Sequence, residues 1–169
     1  IVLADMLDPW EKVYSETMSE VARDETDNLE TVSEYYGMSR QNKCMVLGDC
    51  TNSHIICAHI WPRHTLGQGL EACGLVPMDV NNPRNFLRLH KSIEKAFDHK
   101  RLTFVPVSQS DSSLVMKVVL LDPLLANEDV EYNNTSVKFE TLNHRNFDFK
   151  FVPGKTPFTR LLSAHTIQA

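Results

Sequence analysis

The run Ala58-His59-Ile60-Trp61-Pro62 places one imidazole among apolar neighbours. A neutral imidazole, with an ordinary pKa of about 6.5, can take a proton from water close to pH 7. Asn85, 23 residues after Pro62, opens Asn85-Phe86-Leu87-Arg88-Leu89, and its side-chain amide can both donate and accept. His90, Glu94 and Asp98 then follow at intervals of four, which on a helix is one face. Glu94 offers carboxylate oxygen, the hard donor that Mg²⁺ takes. Each residue also has a plainer reading. His59 alone reads as a hydrogen-bonded core histidine, and Asn85 after Pro83-Arg84 as a turn or cap residue. Glu94, near Lys91 and Lys95, reads as a surface ion-pair residue, and Asp98 as a carboxylate that pins the following loop.

Cations gather around these positions. Arg84 to Arg101 holds six bases, two acids and two histidines. Arg63, His64, Arg84, Arg88, Lys91 and Lys95 are candidate contacts to a phosphate backbone, against the alternative of a solvated helix face. The net charge of −5 hides a division, because residues 1–34 hold ten acids and two bases while the remainder holds 12 acids and 15 bases. A basic face attached to an acidic arm has this distribution.

The length of 169 residues suits one domain with an arm, and 42% apolar with 23% charged residues is a globular composition. No apolar run approaches the ~18–20 residues needed to span a bilayer, so no membrane association is expected. No basic-then-apolar leader opens the sequence as given, which begins at Ile1. Cys44, Cys50, Cys57 and Cys73 form no C-x-x-C pair, which disfavours a zinc ribbon or finger. Cys57 in Ile55-Ile56-Cys57-Ala58 reads as a small buried hydrophobe, so reduced thiols without a disulfide partner and an intracellular working site are expected. Asn133 and Asn134 each start an N-x-[ST] sequon, relevant only if the domain is secreted.

These residues need elements to position them. Helical spacing from about Pro9 to Ala22, with Asp8 as cap, and a weaker helix over about Asn28–Tyr36 closed by Gly37, make the N-terminal segment a helical arm. Lys43–Leu47 reads as a strand with Gly48-Asp49 as its turn, and His54–Ile60 as a second strand stopped by Pro62. Residues 61–84 read as a long irregular connection with a helical turn, a kind of loop that is usually functional. An extended piece over 85–89 precedes a helix over about Lys91–His99 whose buried face is Ile93, Ala96 and Phe97. Strands follow at about Leu102–Val107 and Leu114–Leu121, then a polar loop to about Thr135. Further strands read at Ser136–Glu140 and Phe147–Val152, with a closing helix from Pro157 to about Ala164. The class is α+β with segregated, mostly antiparallel strands.

Together these motifs resemble the HNH endonucleases. The narrower branch reads C-x-V-x-G, then A-H-I-x-P, then N-G-x-x-L-x-x-x-[IL]-H-x-x-F-D. Cys44-Met45-Val46-Leu47-Gly48 matches the first element, Ala58 to Pro62 the second, and Asn85, Leu89, Ile93, Phe97 and Asp98 the third. Pro157 to His165 is similar to the closing segment of such domains, so the resemblance covers roughly residues 44–165. It implies a ββα-metal core with additional antiparallel strands, in a nuclease domain over 43–169 behind an acidic helical arm over 1–42. It implies hydrolysis of DNA phosphodiester bonds with His59 as general base, Asn85 holding the loop and orienting that base, and one divalent cation. Mg²⁺ is the expected ion, with Mn²⁺ or Zn²⁺ as alternatives.

The sequence departs from the branch at the second histidine, where Glu94 stands. A Glu94 ligand, a His90–Glu94 pair, or His90 in a different register are the readings for the metal. Ala58 stands where many HNH enzymes carry an acid before the base. These departures sustain a rival, a degenerate domain that binds DNA or a protein partner without cutting. Similar domains end Crinkler-type secreted effectors that act in host nuclei, which adds an effector role and a nuclear location as expectations. A structural zinc module built from Cys and His is a third reading.

Overall fold

The computed structural model describes residues 29–38, 43–50 and 55–168. The helix expected over Pro9–Ala22 lies outside the described residues. Residues 29–36 form helix α1, and Gly37 ends it with φ +66°. Val32 and Tyr36 face inward, one turn apart, and join the core. The Tyr36 hydroxyl shares its proton between the carbonyls of Pro83 and Phe86, 3.1 Å from each.

β1 (Lys43–Cys44) and β2 (Gly48–Asp49) make a short antiparallel hairpin with Cys44 opposite Gly48. The turn falls on residues 45–47 and not on Gly48-Asp49 as expected, because the Cys44 sulfur draws the chain round. It accepts the Val46 N–H at 3.3 Å, while the Met45 N–H goes to the Arg88 carbonyl at 2.9 Å.

β3 (Ile55–His59) pairs antiparallel with β4 (Phe86–His90), His59 opposite Phe86 and Ile55 opposite His90. The connection between them is a chain of 3₁₀ turns, at Arg63–Thr65, Leu70–Cys73, Pro77–Asn81 and Pro83–Asn85, where one helical turn was expected. Its limbs close on each other at Gly67, where a Cβ would stand 2.2 Å from the Pro77 carbonyl oxygen. That position also has φ +82°, so glycine is required twice over.

Helix α2 (Lys91–Asp98) leaves β4 without a loop and buries Ile93, Ala96 and Phe97, the stripe read from the sequence. β5 (Leu102–Gln109) and β6 (Ser113–Leu120) follow as an antiparallel pair. The segment expected to be a polar loop contains β7 (Asp129–Tyr132), which pairs as a hairpin with β8 (Thr135–Lys138), the strand expected over Ser136–Glu140. Asn133 and Asn134, at φ +51° and +58°, make its two-residue turn, the left-handed pair that matches strand twist. β9 (Asn146–Lys150) then completes a sheet of order β5-β6-β9. Helix α3 (Thr159–Gln168) packs against β5 through Leu161 and Leu162, which meet Phe97 and Phe104 in one core. The content is α+β with antiparallel strands. No helix among the described residues is long and apolar enough to cross a membrane.

Candidate active site

His59 ends β3, half-buried, with its ring 4.2 Å from the Phe86 ring across the strand pair. The chain beyond it is clamped by Asn85, which is fully enclosed. Asn85 Oδ1 accepts the Trp61 N–H at 2.8 Å. Its Nδ2 donates to the carbonyls of Trp61 at 3.1 Å and Val80 at 2.8 Å. The Ile60 N–H donates to the Asn85 carbonyl at 2.8 Å, so residues 60 and 61 are fixed on both sides. Asn85 therefore holds the loop by direct contact, and reaches His59 only through the backbone it pins.

A cavity of about 250 Å³ opens at His59. Trp61, His64 and Thr65 line it from the connection, Phe97 and Asp98 from the end of α2, Lys100 just beyond, and His165 from α3. The geometry follows from strand and helix rise. Four residues of β4 advance about 13 Å away from His59. The eight residues of α2 return about 12 Å over the hairpin, so its last residue arrives level with His59.

The same arithmetic separates His59 from His90, four residue pairs along the ladder. His90 is buried and caps α2, its Nδ1 accepting the Ser92 N–H at 3.2 Å. It does not line the cavity. Glu94 is half-buried on α2, one turn before Asp98. Asp98, which the sequence alone reads as a structural carboxylate, is the acid that lines the same cavity as His59. The missed signal was the strand–helix return, which favours the end of α2 over its start.

The cations divide. Arg88 is 1% exposed in β4, and burial lowers its pKa, so it is withdrawn from the candidate phosphate contacts. Every residue of β4 is buried, so a charge there does not mark a solvent face. Lys95 lines a second cavity with Ser92, His99, Arg101 and Glu128, and Lys91 precedes it by one turn on α2. Neither joins His59. Arg63 and Arg84 are half-buried at the connection; Arg84 Nε donates to the Thr156 carbonyl at 2.8 Å and its guanidinium lies 4.4 Å from the Phe158 ring centre.

His165 is buried and stacked on Phe97 with ring centres 4.0 Å apart, and its Nδ1 lies 3.2 Å from Thr103 Oγ1. Burial, then the nearby Lys100 charge, hold its pKa below the ordinary 6.5. The sequence offered no strong claim for it, because the fold alone brings its ring onto Phe97.

Among the described residues, no three His, Cys, Asp or Glu side chains gather as a metal site. A closed zinc centre of four protein ligands is thus not assembled by them. The donors on hand are carboxylates, Glu94 and Asp98 one helical turn apart, which suit a hard cation that keeps much of its own water, as Mg²⁺ does. His90, with Nδ1 committed to the helix cap and four residue pairs from His59, does not fit.

Residues 44–105 match the family model of the HNH endonucleases. No curated protein and no solved structure matches the chain.

Proposed function

We propose that this chain is an HNH-type endonuclease that hydrolyses DNA phosphodiester bonds, with β3, β4 and α2 as its ββα-metal core. The observation that carries the reading is the cavity at His59, to which the end of α2 contributes the Asp98 carboxylate within the segment that matches the family model. His59 takes the proton of a water as its oxygen attacks phosphorus in line. The P–O3′ bond breaks on the opposite side, leaving 5′-phosphate and 3′-hydroxyl ends. Glu94 and Asp98 would hold the divalent cation, which supplies Lewis-acid neutralisation of the phosphate charge when bound. Trp61 and Phe97 wall the cavity, and Asn85 keeps the chain after His59 from drifting out of line.

Arg63 and Arg84, half-buried at the connection, and the exposed His64 give contacts to the backbone, which position a duplex without reading sequence. No element resembling a helix-turn-helix or zinc-finger reader is present among the described residues, so low sequence specificity is expected.

Supercoiled plasmid with Mg²⁺ or Mn²⁺, with and without EDTA, tests the reading. Wild-type protein should nick only with metal. His59→Ala should lower the rate by about 10²–10⁴-fold, the range of a lost general base. Glu94→Ala and Asp98→Ala should each raise the metal concentration needed for half-maximal nicking. Binding without nicking, indifferent to all three changes, would establish the degenerate reading instead.

A further inference from the structure

We infer that Lys100 is the phosphate anchor of this cavity, its ammonium holding the phosphodiester against His59. The inference rests on the nuclease reading and adds a residue to it.

The first observation is the way α2 ends. The Arg101 N–H donates to the Ala96 carbonyl at 2.8 Å, and the Lys100 N–H to the Phe97 carbonyl at 3.0 Å. These paired bonds are the Schellman ending of a helix, and they put Lys100 at the position just past the cap. Glycine is the usual occupant there, because the backbone is left-handed; Lys100 has φ +55°. A lysine at this point carries a steric penalty that glycine avoids, and it adds nothing to the two capping bonds, which are backbone bonds.

The second observation is what the side chain reaches. Lys100 lines the His59 cavity and is the single lysine or arginine among the described residues that do so. Its charge lies near enough to the His165 imidazole, another lining residue, to help hold that pKa below the ordinary value. A cavity that takes a phosphodiester needs a positive partner for the nonbridging oxygens, and Asp98 alone would repel them. An ammonium on a flexible stem is a point charge that follows phosphate through a displacement. Strain at a residue facing a candidate site is where sequence economy gives way to function.

Two variants separate this role from a structural one. Lys100→Gly keeps the left-handed backbone without the penalty, and Lys100→Asn tolerates it without the charge. Lys100→Gly should raise Tm by about 2–4 °C. Both variants should lower plasmid nicking by about 10²-fold, the scale of one lost charge contact in a transition state. In EDTA, where no cleavage occurs, both should reduce the slope of log affinity for duplex DNA against log salt by about one. Lys100→Arg should retain the slope and most of the nicking. Unchanged nicking and slope in Lys100→Gly, with an active wild type, would overturn the anchor alone; so would a lowered Tm accompanied by parallel losses in Lys100→Arg. A wild type that neither binds nor nicks overturns the nuclease reading itself.

Discussion

The His165 imidazole has a lowered pKa, so the folded protein resists its protonation more than the unfolded chain does. As pH falls below the ordinary 6.5, the unfolded state takes up the proton first, and stability is lost through the window down to the lowered value. Above 6.5 both states are neutral and the full stability remains. Thermal unfolding across a pH series should therefore show Tm declining below about pH 6.5. His165→Gln, which can keep a polar contact to Thr103 without titrating, should flatten that decline; an unchanged pH profile would remove His165 as its source. At this scale the sequence was partly legible. His59 stands out because its neighbours spell a motif, and Asn85 because its spacing does. Arg88 misleads, because β4 is enclosed on both faces and the usual in–out alternation is absent. His165 is silent, since its place in the cavity depends on α3 packing on β5 and stacking its ring on Phe97, contacts between residues far apart in sequence.

The element that fixes the site is the loop between β3 and β4, and Asn85 is its clasp. Asn85→Ala removes one acceptor and two donated bonds at a position with no exposure. Leaving those backbone groups without their partner should cost about 3 kcal/mol, seen as a lowered urea midpoint. Nicking should fall further than stability requires, because Trp61 and its neighbours wall the cavity. An Asn85→Ala protein of unchanged midpoint would show that the clasp is dispensable. Most elements were readable from pattern: the α2 stripe of Ile93, Ala96 and Phe97 is periodic, and β3 is a β-branched run ended by proline. β8 was legible as a strand, but its partner β7 and the turn between them were not, because Asn133-Asn134 can be taken as glycosylation signals as well as the left-handed turn they form. Residues 43–47 read as one strand turning at Gly48-Asp49, whereas the chain turns at 45–47, since a sulfur-accepted N–H has no signature in hydropathy.

At the scale of the whole chain, charge is divided more sharply than mass. Residues 1–28 carry eight acids and two bases. Removing them should tighten binding to duplex DNA at low salt, and the gain should vanish at high salt as screening shortens the reach of those acids. Equal affinity of the two proteins at 50 mM salt would dismiss a shielding role. The segment that matches the family model, 44–105, carries His59, Asn85 and the end of α2, but not the whole wall of the cavity. α3 contributes His165, and its Leu161 and Leu162 cover the core that supports Phe97. The sheet β5-β6-β9 gives α3 its seat.

The Tyr36 hydroxyl, divided between the carbonyls on either side of Arg84-Asn85, sets the practical limits of any truncation. A piece trimmed to the recognised motif would lack this brace from upstream and the covering helix from downstream. Cloning boundaries that begin before residue 29 and run through residue 168 keep both; tighter ones would yield a cartridge with its hinges removed.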